Sequence, residues 1–173
     1  MVKLPLLALF FLAAVGCTST LPAPHRQVEN LKQLPVALDP DFSFRKTIQY
    51  FLDPAAKPVN PRVDAAVAFE RQYRLYGALT ALDSRQRLGN YYTIYWRAKR
   101  PADVTVRFEY RQEKLHAFTQ AREVTYHNAK GTNRTVFAII GDDYVDDGRV
   151  IAWRESLIVN GQVVATNRSY LWE

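Results

Sequence analysis

An all-β domain, built as an antiparallel two-layer β-sandwich, is the fold class this sequence predicts. Three observations carry it. Apolar and polar residues alternate over several short segments, most cleanly in VTVRFEYR, residues 104–111, where Val104, Val106, Phe108 and Tyr110 share one face and Thr105, Arg107, Glu109 and Arg111 the other. The run TVFAIIG, residues 135–141, is apolar on both faces and rich in β-branched and aromatic residues, which predicts a strand covered on each side. Asn160-Gly161 divides RVIAWRESLIVNGQVVATNRSYLW, residues 149–172, into two β-prone runs, and that dipeptide suits the positive φ values of a type I′ hairpin turn.

The chain begins with Lys3 and an apolar run, LPLLALFFLAAV, followed by Gly16 and Cys17. An apolar run of this length suits an export signal, because a spanning helix needs roughly 20 such residues. Cys17 is the only cysteine in 173 residues. Together Ala14, Val15, Gly16 and Cys17 resemble the lipobox of bacterial lipoproteins. The resemblance covers residues 1–17 and implies cleavage between Gly16 and Cys17, acylation of the Cys17 thiol and a further acyl chain on the new amino group. Thr18, where some bacteria carry an aspartate for inner-membrane retention, leans toward the outer membrane. A single acyl chain attaches a protein only reversibly, at about 0.8 kcal/mol per buried methylene, so two or more make the anchorage stable. With no second cysteine, the exported domain has no disulfide and must be held by burial.

Residues 18–40, TSTLPAPHRQVENLKQLPVALDP, carry Ser, Thr and four prolines with little periodicity. They read as part of a lipidated flexible tether, residues 17–40, or alternatively as a leader that packs along the domain. Residues 41–173 then form one domain.

Within it, Phe44, Ile48, Tyr50 and Leu52 alternate, with Lys46 as the exception. The segment 63–79, VDAAVAFERQYRLYGAL, fits two periods: Phe69, Tyr73 and Tyr76 have helical spacing, suiting a short helix at 63–76, while Val67, Phe69, Tyr73, Leu75 and Leu79 share a strand parity, which favours a strand. Tyr92, Ile94, Trp96 and Ala98 supply another strand face, and Val124 and Tyr126 a shorter one. About eight such segments in succession point to an immunoglobulin-like or fibronectin-like sandwich, without the paired cysteines of true immunoglobulin domains; a barrel is the alternative.

The formal charge of +6 loses one unit if residues 1–16, which hold Lys3 and no acid, are removed. Basic residues are scattered among acids, without a long Lys/Arg tract, and export argues further against a nucleic-acid partner. GDDYVDDG, residues 141–148, gathers Asp142, Asp143, Asp146 and Asp147, the hard oxygen ligands Ca²⁺ prefers. It is no EF-hand: read from Asp143, Val145 stands where an oxygen ligand is needed and Arg154 where a glutamate is needed. A weak Ca²⁺ site of other geometry competes with a plain solvated loop bounded by Gly141 and Gly148. No G-x-S-x-G elbow marks a nucleophile, and His25, His116 and His127 lack metal-ligand spacing.

Aromatic residues are the remaining lead. Tyr91 and Tyr95 lie on the parity opposite Tyr92, Ile94 and Trp96, with Arg97 following on their side, so they are candidates for an outward binding face. Cross-strand packing is the competing role, and Trp153 and Trp172 are assigned to the core or the sheet end. The function expected is that of a lipid-anchored cell-envelope protein, its domain in the periplasm or at the cell surface, binding another protein or an envelope polymer without catalysis or cofactor. A small hydrolase of glycan or peptide and a calcium-dependent adhesive module are the alternatives.

Overall fold

The computed structural model describes residues 25–29, 31–52, 55, 62 and 64–172; Cys17 and the signal segment lie outside them. In chain order the elements are β1 (Arg26–Gln27), β2 (Phe42–Leu52), α1 (Ala65–Leu75), α2 (Ala81–Arg85), β3 (Gly89–Gln112), β4 (Thr119–Ile140), α3 (Asp142–Asp147), β5 (Val150–Val159) and β6 (Gln162–Arg168). All six strands belong to one sheet whose ladders are antiparallel, ordered β1-β4-β3-β5-β6, with β2 also on β3. The predicted all-β class is what the chain adopts.

The two layers are made by folding this sheet over. Straight, the 24 residues of β3 would span roughly 80 Å at ~3.3 Å per residue. They bend instead where the β3–β4 register shifts, between Ala98 and Val104. Pro101, which cannot donate to a ladder, sits inside that irregular stretch. Across from it β4 turns at Asn128 and Gly131, both with positive φ, and Asp103 accepts the Asn128 N–H at 2.8 Å. The first half of β3 therefore pairs with β2 and the end of β4, and the second half with β5 and the start of β4. Tyr92 from one half packs, tilted by 43°, against Phe108 from the other at 4.5 Å between ring centroids, and Phe137 stacks on the same ring at 5.3 Å. Trp96, fully buried, donates its indole N–H to Thr135 Oγ1 at 2.9 Å.

The eight segments expected become fewer strands because no break separates NYYTIYWRA from VTVRFEYR, or Val124–Tyr126 from TVFAIIG, each pair being one bent strand, and because residues 63–79 are not a strand; the short β1 is not among those expected. TVFAIIG itself is not central. Its ladder runs to β3 alone among the described residues, Phe137 and Ile139 face inward, and Val136, Ala138 and Ile140 are half-buried. In β2 a register irregularity between Phe44 and Lys46 switches the parity. Phe42 and Phe44 thus point into the core, while Ile48 and Tyr50, paired with Thr93 and Tyr91, lie on the opposite face, so the sequence pattern merged two faces.

The favoured strand over 63–79 is corrected to a helix. Asp64 caps α1 by accepting the Val67 N–H at 3.0 Å, Arg74 bonds Glu70 one turn earlier at 3.1 Å, and Phe69 stacks on Tyr73 at 6.1 Å. GDDYVDDG is likewise a helical turn, α3, in place of a loop. The Asn160-Gly161 turn has the expected geometry, with φ of 50° and 76°.

The described residues between His25 and Asp39 run along the domain. β1 pairs with the start of β4, and Val28 donates to the Ala121 carbonyl at 2.9 Å. Arg107 holds the Lys32 carbonyl at 3.2 Å, and Ala37 and Asp39 then donate to the Val163 and Val164 carbonyls of β6, each at 2.9 Å. The leader is thus a strap across the outer face of the second layer, from the β4 edge to the β6 edge.

Candidate functional site

The outer edges of β2 and β6 approach one another without a backbone ladder between them, the β6 edge being taken by the strap at Val163 and Val164 and open only beyond. The resulting seam is a groove of about 610 Å³, with Phe42 to Lys46 on one wall, Val164 to Asn167 on the other and Leu38 to Pro40 at one end. Phe42, Phe44 and Ala165 make its floor apolar; Ser43, Thr166 and Asn167 supply hydrogen-bonding groups. An extended chain needs both, since backbone groups must be satisfied while alternate side chains are buried.

Below the seam lies a carboxylate that sequence reasoning missed. Glu155 occupies the inward row formed with Phe108 and Asn167 and has no solvent exposure. Thr47, reaching across from β2, donates to Oε1 at 2.6 Å, and Asn167 lies within 3.5 Å of the Thr47 hydroxyl. Among the described residues Oε2 is buried with no hydrogen-bond partner. Burial therefore pushes the Glu155 carboxyl up to about 7, against which the Thr47 and Asn167 contacts work only partly. The signal was available: Glu155 shares the parity of Trp153, Leu157 and Val159.

The acidic segment caps one end of the core. Arg122, itself buried, forms a close ion pair with Asp143 and donates to the Ala138 carbonyl at 2.6 Å. Asp147 accepts from Gln120 at 3.2 Å, and Asp142 from Gln86 at 3.3 Å. Buried Gln112 donates to the carbonyls of Asp143 and Gly148, each at 2.7 Å, and accepts from Gln120 at 2.9 Å. These bonds fix α3 to the β3–β4 hairpin, and the four carboxylates do not converge. Among the described residues no three His, Cys, Asp or Glu side chains are grouped to hold a metal. We expect the same melting temperature in calcium and in chelator; a rise with calcium would reveal a site, because a ligand confined to the folded state must stabilise it.

Of the candidate binding face, Tyr91 is buried under α1. Arg74 lies 4.0 Å above its ring, and its hydroxyl donates to the Arg87 carbonyl at 2.6 Å. That ring face is occupied by a guanidinium of the same chain. Tyr95 and Arg97 remain on the outer surface, half-buried and exposed respectively, in register with Lys46 and Arg134 and with Ser43 and Thr132. Trp153 is in the core, and Trp172 closes the sheet end beneath Arg111 and Arg154, at 4.6 and 5.1 Å.

No family model, curated protein or solved structure matches the chain.

Proposed function

We propose that this chain is a lipid-anchored protein of the bacterial cell envelope whose β-domain is a non-catalytic binding or assembly module for another protein or an envelope polymer. The observation that carries the binding role is the seam. Two strand edges border a groove with an apolar floor, the arrangement into which an extended segment can be added as a strand. Asp39 is the one carboxylate among the residues lining it, and it is bound to Arg100 at 2.7 Å and to the Asp41 N–H at 2.9 Å. Those contacts hold Asp39 below the usual carboxylate range, so it supplies a fixed negative charge and no acidic proton near neutrality.

Two experiments test the reading. Cys17→Ala is expected to abolish acyl labelling and release the protein from membranes, and unchanged lipid incorporation would defeat the anchor assignment. A photo-crosslinking residue at Ser43 or Thr166 in intact cells should capture a recurrent protein or glycan, while the same residue at exposed Lys130 should not. Equal, unselective capture at both places would remove the seam from consideration.

A further inference from the structure

Cations without partners gather on the outer face of the first layer. The three stretches that build this layer, β2, residues 89–98 of β3 and residues 131–140 of β4, contain Arg45, Lys46, Arg97 and Arg134 and no Asp or Glu. Cross-strand register puts Lys46, Tyr95 and Arg134 side by side in one row, and Arg97 beside Thr132 in the next. Lys46, Arg97 and Arg134 are exposed, and among the described residues none of them has an ion pair. The second layer answers its cations in place: on its outer face Arg107 meets Glu123 at 2.6 Å, and Arg154 pairs closely with Glu109. At the edge of the first layer Lys99 and Arg100 are likewise held by Asp41 and Asp39. The charge of the Lys46–Arg134 face is left for something outside the chain to meet.

The spacing of the cations favours a chain of anions over a single ion. Neighbouring strands lie ~4.8 Å apart and alternate residues of one strand ~6.8 Å, so the backbones of Lys46 and Arg134 are about 10 Å apart and that of Arg97 roughly 8 Å from each. Arg97 and Arg134 offer planar forks that take a carboxylate through two bonds at once. Tyr95, half-buried between the flanking cations, supplies an aromatic ring, and Thr132 a hydroxyl. A protein partner fits less well, because charge occupies the middle of this face and the centre of a protein interface is depleted of it. A single-stranded nucleic acid needs a series of stacking rings, and the next two tyrosines, Tyr50 and Tyr91, lie beneath Arg74 at 5.0 and 4.0 Å.

We propose that this face binds a carboxylate-bearing polysaccharide, with Lys46, Arg97 and Arg134 on its carboxylates and Tyr95 against a sugar ring. The surface is distinct from the seam, which Arg97 and Arg134 do not border, so either can fail without the other. Its regular ladder ends at the Ala98–Gly131 pair, which leaves Lys130, in the bend, outside it.

Labelled polygalacturonate titrated with the full-length chain is the test. Binding is expected at low salt and should weaken as the screening length shrinks toward ~8 Å, while neutral dextran stays unbound. Arg97→Gln combined with Arg134→Gln should weaken it about tenfold. Arg26→Gln combined with Arg149→Gln removes the same charge elsewhere and should change it less than about twofold. All four side chains are exposed, and matching melting temperatures will show that the fold is intact. Tyr95→Leu keeps every charge and should still weaken binding about threefold. No binding at low salt overturns the proposal, and so does an equal loss in the two double variants, which would mean attraction to net charge alone. An unchanged affinity in Tyr95→Leu takes the sugar ring from the face and also overturns it. Tighter binding of single-stranded DNA or of phosphatidylglycerol vesicles through Arg97 and Arg134 would give the face to that partner instead.

Discussion

Phe108→Ala is expected to cost about 3–5 kcal/mol of folding stability, the range for truncating a large aromatic side chain in a core. That is a large share of the roughly 5–15 kcal/mol that holds a typical domain folded. Phe108 is fully buried and lies where the two layers meet, with Tyr92, Phe137, Tyr110 and Trp153 rings at 4.5, 5.3, 5.7 and 6.3 Å. Its loss leaves a cavity bordered by both halves of β3, which one layer cannot close by shifting alone. Phe108→Leu keeps most of the volume and should cost well under half as much. Urea unfolding of the two variants decides the matter: a loss below about 1 kcal/mol for alanine would show that the layers do not press on this ring.

Stability should also fall with rising pH, and Glu155 should cause most of that fall. Its carboxyl has a pKa of about 7 in the folded protein against 4.5 in its ordinary state. Between those values the folded state retains a proton that the unfolded state has lost, so stability decreases as pH rises through the window and levels off above it. A displacement of that size corresponds to about 3 kcal/mol. Glu155→Gln cannot ionise and keeps an oxygen to accept from Thr47, so its stability should be nearly flat over the same range. Denaturation midpoints measured from pH 4 to pH 8 that run parallel for parent and variant would show that Glu155 is not the source.

The sequence carried the fold class because alternation at period two survives in any sheet with a covered face, and residues 104–111 and 92–98 display it without interruption. Connectivity was less legible. A bend inside a strand and a turn between strands draw on the same residue types, here Pro101, Asn128 and Gly131. The parity of β2 was obscured by one irregularity near Arg45, and that of residues 63–79 by alanines and aromatics that satisfy both periods. Functional groups were harder still. Tyr91 lies on the strand face opposite Tyr92, but nothing local announces that Arg74 covers it. Glu155 and Thr47 are 108 positions apart, and only the folding of the sheet brings the hydroxyl to the carboxylate.

Because β3 and β4 each pass through both layers, the domain has no separable half. Melting either layer would require breaking the long hairpin in the middle of a continuous ladder, so local opening of one face should be coupled to the other and unfolding should be all-or-none. For a chain with a single cysteine, and so no internal disulfide, this has a protective consequence. Proteases gain access to the backbone chiefly through complete unfolding, and survival then depends on how rarely the whole sheet comes apart, with no partly open form to serve as a weaker point of attack.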